Sequence, residues 1–235
     1  VTAQEPHKVD QEDEIINVAV LAVDEDATRT DVNLLVSYNT KTKKKALISD
    51  PRDTRAVLTD EMITFLKDNG RAEPSPRYNE YGVCKLTELH AYAGEGNRVT
   101  FTVAMMENIL GVKMDYYIKV DLDVFKELVD AVGGVDFDVP QRMYWDMSDH
   151  DGPVIDLQPG MQHLDGAKAE QLVRFREGYV QKDLKRIEVQ RDFLKALLKK
   201  VVSTETILSN LNSLINLTLD KTESNITPQE ALSYV

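Results

Sequence analysis

Two aspartates and an arginine, Asp24, Arg29 and Asp31, fall within a single short stretch of the segment NVAVLAVDEDATRTDVNLLVSYN. The apolar runs on either side, residues 17–23 and 32–38, have the composition of two strands joined by a short polar loop. If these runs pair as neighbours, Asp24 and Asp31 meet at one sheet edge, and Arg29 and Asp31 share a side by the two-residue period of a strand. Hard carboxylate oxygens at an open edge suit magnesium bound jointly with substrate phosphates. Aspartate is also common at hairpin ends for conformational reasons alone, so the spacing leaves both readings open. Pro51-Arg52-Asp53-Thr54 follows the next β-type run, KALIS; proline sets the backbone there and Arg52 can offer a two-pronged fork to an anion. As a lone string it reads equally as a surface ion pair.

Two further groups share this chemistry. In Arg174-Phe175-Arg176 an extended backbone turns both guanidinium groups to one side and sends Phe175 into the core. Asp183, Arg186 and Gln190 follow at helical spacing and share one face, which serves either as an anion-binding face or as a plain intrahelical ion pair. Leu184, Ile187, Leu194, Leu197, Leu198 and Val201 are expected to form the apolar face of that helix. The chain has 11 arginines. Arg29, Arg52, Arg174, Arg176 and Arg186 all stand at expected strand ends or on that helix face, a distribution that suits a di-anion.

Other chemistries find less support. His7, His90, His150 and His163 have no metal-ligand spacing, and His90 in TELHAYA reads as lining a helix face. No G-x-S-x-G, Walker-A or G-x-G-x-x-G string occurs. Cys84 is the single cysteine, which excludes an intramolecular disulfide framework and reads as a buried thiol.

The elements that must position these residues follow from periodicity and punctuation. Strands are expected at residues 15–23, 31–39 and 45–49, with Lys41, Lys43, Lys44 and Lys45 on the turn between the last two as a solvated loop. A helix over 60–69 ends at Gly70, and 71–81 is a Pro-containing loop. Asn97 caps a helix to Leu110, residues 116–120 form a buried strand, Asp121 caps a helix to Val132, and VDFDV is another strand. Strand, helix and strand in this order imply a crossover unit and a mixed α/β sheet. Residues 145–153 read as an acidic loop, Pro159-Gly160 as a turn before a helix capped by Asp165, and 183–201 as the longest helix. Thr227-Pro228-Gln229-Glu230 is a capping box close to the last residue, which suggests that the chain is a fragment of something longer. The expected organisation is an acidic linker or stalk over 1–14, a domain over 15–203, and a C-terminal helical extension over 204–235.

Composition bounds the partners. Lys and Arg number 28 against 40 Asp and Glu, giving a formal net charge of −12. That balance, with no helix-turn-helix and no basic stripe, argues against nucleic acid. The 42% hydrophobic content supports a sizeable core. The longest apolar stretch, 15–23, is far shorter than a membrane span.

The ordered motifs carry a resemblance. NVAVLAVDEDATRTDVNLLVSYNTKTKKKALISDPRDT, KLTELHAYAGEG, ENILGVKMDYYIKVDLDVFKELVDAVGGVDFDVP, IDLQPGMQHLDGAKAEQLVRFRE and DLKRIEVQRDFLKALLKKV occur in series. Together they resemble the LytR-CpsA-Psr family of cell-wall glycopolymer ligases from about Asn17 to Val201. The resemblance implies an α/β domain with a central mixed sheet flanked by helices and a hydrophobic channel for a polyprenyl chain. It implies transfer of a teichoic-acid-like or capsular polymer from a polyprenyl diphosphate carrier to a peptidoglycan acceptor, on the extracytoplasmic face of a bacterial membrane. An N-terminal transmembrane anchor in the full-length protein is part of that expectation. Asp24 and Asp31 match the family's two magnesium-site aspartates, Arg29 the arginine before the second, and Arg52 and Asp53 the arginine-aspartate pair after the third strand. Arg174, Arg176, Arg186 and Gln190 match the residues that hold the diphosphate. Four features depart from the family's pattern: Ala22-Val23 before the first aspartate, a short loop from Asp24 to Arg29, Ser49-Asp50 before Pro51, and Val189 before Gln190. The resemblance also admits a non-catalytic binding protein for lipid-linked wall precursors, and the family has long carried the label of transcriptional attenuator.

Overall fold

The computed structural model describes residues 15–24, 26–76, 80–146, 154–175, 183–201 and 222–234. The chain divides into two compact units, one formed by residues 1–121 with 222–235 and the other by 122–221.

The first unit is built on a five-stranded mixed sheet. β1 (Ile15–Val23) pairs antiparallel with β2 (Thr30–Asn39), which pairs antiparallel with β3 (Lys45–Asp50). On its other side β1 runs parallel to β6 (Tyr116–Val120), and the short β11 (Glu223–Ser224) closes that edge antiparallel to β6. Central β1 buries side chains on both faces of the sheet, Ile16 on one and Ala19 and Leu21 on the other, which is why IINVAVLAV is almost wholly apolar. A small ribbon of β4 (Arg55–Val57) and β5 (Val83–Lys85) lies apart from this sheet.

Three helices cover one face. Thr59, whose side chain accepts from Met62 N–H, caps α1 (Asp60–Asp68); α2 spans Leu86–Ala93 and α3 Arg98–Leu110. Met62 and Leu66, Leu86 and Leu89, and Phe101, Met105 and Met106 close over Ala19 and Leu21 of the sheet in one buried cluster. On the opposite face, where Ile16, Val18, Val36 and Tyr38 alternate with that set, the last helix α7 (Pro228–Ser233) is fastened just beyond its end. There the Tyr38 hydroxyl donates to the Tyr234 carbonyl at 3.1 Å, and the Tyr116 and Tyr234 hydroxyls lie 2.9 Å apart. The expected mixed sheet flanked by helices is the fold observed. Residues 222–234, read from the sequence as part of a helical extension, instead supply an edge strand and a helix to the first unit. Sequence periodicity cannot see this, because two residues of strand carry no pattern.

In the second unit α4 (Leu122–Ala131) leads into β7 (Val135–Val139), which pairs with β10 (Gly160–Leu164), and β8 (Met143–Asp146) pairs with β9 (Val154–Leu157). Asp165 caps α5 (Gly166–Arg174) as expected, accepting from Lys168 N–H at 2.9 Å. The turn at Pro159-Gly160 leads into strand β10 before that helix begins. α6 spans Asp183–Val201. Its buried stripe is Arg186, Val189, Gln190, Phe193 and Leu197, whereas Ile187, Leu194 and Leu198 of the expected apolar face are only half-buried. Phe193 explains the rotation: its ring packs edge-on against Phe125 and Phe137, with centroids 6.0 and 5.5 Å away. Burying that ring draws the residues three, four and seven positions before it into the core.

Candidate functional site

The β1–β2 hairpin forms as expected and brings Asp24 and Asp31 to one end of the sheet. A register shift between Ala22 and Val23 bulges the strand just before the loop. Within the loop Asp24 N–H donates to the Arg29 carbonyl at 3.0 Å, and Ala27 takes a left-handed conformation at φ 52°. Asp24 Oδ1 accepts the backbone N–H groups of Thr28 and Arg29 at 3.0 and 2.9 Å. Asp24 therefore performs the turn-building role that aspartates have at hairpin ends. Burial raises its pKa above the ordinary aspartate value, against the lowering effect of the Arg29 N–H, and the negative charges of Asp26 and Asp31 raise it further. Negative charge gathered in this way around Asp24 is ready to take up a cation.

Asp31 is engaged by Arg52, whose Nη1 donates to Asp31 Oδ1. Arg52 reaches it from the turn after β3, where Thr54 N–H donates to the Pro51 carbonyl at 2.8 Å. Asp53 stands 3.9 Å from Arg52 Nε and 3.0 Å from Lys85 Nζ. The start of α2 is tied to the same turn, with Thr87 N–H donating to the Arg52 carbonyl and Leu86 N–H to the Thr54 carbonyl, each at 2.9 Å. Arg29 is exposed on the loop. Asp24 and Arg29 on the β1–β2 loop, Asp31 at the start of β2, and Arg52 and Asp53 on the turn after β3 thus all belong to one end of the first unit's sheet.

Two supporting residues escaped the sequence reading. Lys85 holds Asp53, and its only signal is its place immediately before an amphipathic helix. Arg98 opens α3 and donates from Nη1 to the Ala27 carbonyl at 2.7 Å, bracing the loop that carries Asp24. It also organises a buried pair. The Thr102 hydroxyl donates to the Arg98 carbonyl at 3.0 Å, so it accepts from His90 Nδ1, also at 3.0 Å, and His90 carries its proton on Nδ1. Burial, with the charges of Arg98 and Lys119, lowers the His90 pKa to about 4.

A depressed histidine pKa means that the unfolded chain binds the proton first as pH falls. Stability therefore declines as pH falls from about 6.5 to 4, and this group costs nothing further below that window. The loss is on the order of 2 kcal/mol. Chemical denaturation at pH 7.5 and pH 4.5 measures it; His90→Gln is expected to flatten the difference, and an unchanged slope would refute the assignment.

The residues expected to hold a diphosphate from the later part of the chain lie in the second unit. Arg174 ends α5 rather than lying in an extended segment, and its Nη1 is 3.0 Å from Glu170 Oε1. The helix persists to Arg174 because Leu172 and Ala169 are buried on its inner face, and Phe175 caps it and is buried as expected. Arg176 lies outside the described residues. Arg186 is only 5% exposed and Gln190 7%; Gln190 Nε2 donates to the Val173 carbonyl at 2.8 Å and so ties α6 to the end of α5.

Magnesium was expected at Asp24 and Asp31. Among the described residues no three His, Cys, Asp or Glu side chains group closely enough to hold a metal by themselves. Two mutually repelling carboxylates nevertheless fit magnesium, which keeps several waters and is commonly held by one or two carboxylates plus substrate phosphates.

Comparison with known proteins gives the family and the fold. The family model described as the LytR_cpsA_psr family matches residues 1–235. The polyisoprenyl-teichoic acid–peptidoglycan teichoic acid transferase TagV of Bacillus subtilis (strain 168) is 26% identical over 230 residues, covering 96% of this chain and 53% of that protein. TagU of Bacillus mycoides (strain KBAB4), which has the same transferase name, is 27% identical over 220 residues, covering 92% of this chain and 62% of that protein. The chain thus spans little more than half the length of these relatives. The crystal structure of B. subtilis TagV shares the fold, with a TM-score of 0.73 at 24% identity over 95% of this chain and 79% of that one. TagT bound to LI-WTA superposes with a TM-score of 0.66 at 25% identity over 96% of this chain and 75% of that one. The chain belongs to the LytR_cpsA_psr family.

Proposed function

We propose that this chain transfers an anionic glycopolymer from a polyprenyl diphosphate carrier to a peptidoglycan hydroxyl, on the outer side of the cell membrane. One observation carries the reading: Arg52 and Asp31 are bonded to one another beside Asp24, so an arginine able to bind an anion and a carboxylate able to bind a metal share one site. The names of TagV and TagU and the LI-WTA bound to TagT support the substrate class.

Magnesium, held by Asp24 and Asp31, would neutralise charge on the diphosphate. Arg52, bonded to Asp31 at this site, would offer its guanidinium to a phosphate oxygen and hold the phosphorus for in-line attack. Arg29, exposed on the same loop, adds positive charge; the family resemblance alone assigns Arg174, Arg176, Arg186 and Gln190 to the diphosphate. The acceptor hydroxyl attacks the phosphorus next to the polymer, the bond to the bridging oxygen breaks, and polyprenyl phosphate leaves. Asp53, kept in place by Lys85, receives the hydroxyl proton. The polyprenyl chain occupies a hydrophobic channel, and an N-terminal transmembrane segment of the full-length protein anchors it. Among the described residues no helix is long and apolar enough to cross a membrane.

A binding protein without turnover is the second reading, favoured by Asp50, an acid buried directly behind the Arg52 turn. Incubation with a polyprenyl diphosphate-linked glycan, peptidoglycan and magnesium separates the two. Release of polyprenyl phosphate that stops on chelation with EDTA is expected; tight binding with no release would sink the transferase reading.

A further inference from the structure

Behind the Arg52 turn lies a group of buried polar side chains that the transfer chemistry does not use. The pairing of β6, β1, β2 and β3 sets Lys119, Leu21, Asn33 and Asp50 in one row across the sheet, on the face that α1–α3 cover. Asn33 and Asp50 are directly opposite one another, a relation that places Cβ atoms roughly 5 Å apart on the same side. Asn33 is 0% exposed and Asp50 5%. Asp50 Oδ1 accepts from the Thr54 hydroxyl at 2.8 Å. Its Oδ2, both side-chain atoms of Asn33 and the hydroxyl of Thr87 have no hydrogen-bond partner among the described residues. Thr87 is 2% exposed and is bonded through its N–H to the same turn.

Leaving such buried groups unsatisfied is costly, so several beside one turn call for an occupant. Oxygen acceptors dominate: one carboxylate oxygen, one amide oxygen and one hydroxyl. We infer that Asn33, Asp50 and Thr87 form a binding site for a monovalent alkali cation, separate from the Asp24–Asp31 pair and standing whether or not that pair binds magnesium. The charge count selects the ion. One carboxylate neutralises a single positive charge, whereas a divalent ion here would leave a net charge buried, which a low-dielectric interior penalises. Amide and hydroxyl oxygens complete such a shell without adding charge. The bound ion ties β2 and β3 to the start of α2, and so stiffens the turn that presents Arg52 and Asp53. Burial raises the Asp50 pKa in the ion's absence, so a proton is the competing occupant.

Melting temperature in potassium, sodium and choline chloride at equal ionic strength, with EDTA present to remove divalent ions, tests the assignment. The chain is expected to melt about 3–6 °C higher in one of the alkali salts than in choline chloride. Asp50→Asn is expected to abolish that difference. Crystals soaked in thallium(I) are expected to show an anomalous peak between Asn33 and Asp50, a readout that stands even if the variant does not fold. Equal melting in all three salts together with no thallium peak would overturn the site and leave a protonated Asp50 with ordinary water.

Discussion

Arg52→Ala is expected to slow release of polyprenyl phosphate by roughly 10²–10³-fold, the loss that follows removal of one preorganised charge-stabilising donor. Two measurements should move in opposite directions. In the wild type Arg52 occupies Asp31 Oδ1, so a metal must compete with it for that oxygen. Removing the guanidinium lifts the competition, and magnesium affinity in the absence of substrate should rise while turnover falls. General damage to the site would lower both. Arg52→Lys keeps the charge and loses the planar fork, and should recover only part of the rate. The check is a rate assay beside a calorimetric magnesium titration; a variant that turns over at the wild-type rate removes Arg52 from the mechanism.

Gly166→Val should lower the melting temperature by about 5–10 °C, corresponding to roughly 2–3 kcal/mol of overpacking in a chain of this size. The glycine opens α5 where it crosses α4. A Cβ built there falls 2.4 Å from the Lys126 carbonyl oxygen and 2.8 Å from Asp130 Oδ2. The nearer obstacle is backbone, which no side-chain rotation relieves, so the helices must separate. Separation also strains the bond from Gly166 N–H to Asp130 Oδ1, now 2.7 Å. Gly166→Ala should fall between wild type and valine. Thermal denaturation followed by circular dichroism measures both, and a valine variant as stable as wild type would refute the tight crossing at Gly166.

Much of the first unit was legible in advance because its signals are local. Alternation marked β1 and β2, Gly70 and Gly111 closed α1 and α3, and the short polar loop between two apolar runs placed Asp24 and Asp31 at one end of a hairpin. The second unit was less legible where the deciding forces are long-range. β10 reads as a turn followed by polar residues, yet it forms because β7 offers it a ladder partner. α6 was turned by the burial of Phe193 against two rings remote in sequence. Arg174 was expected in an extended segment and ends a helix, since Leu172 holds the preceding turn in the core. Arg176 lies outside the described residues.

By itself, then, the sequence determined which residue types could handle a diphosphate, the family, and the hairpin that carries the carboxylates, because each depends on neighbours a few positions apart. Only the tertiary structure decided what those residues do to one another. Arg52 pairs with Asp31, Lys85 holds Asp53, and Asn33 meets Asp50 beneath them, through strand register and helix packing that join positions far apart in the chain. An ion pair or a buried polar contact is a relation in space, and its energy is set by distance and desolvation rather than by order along the chain.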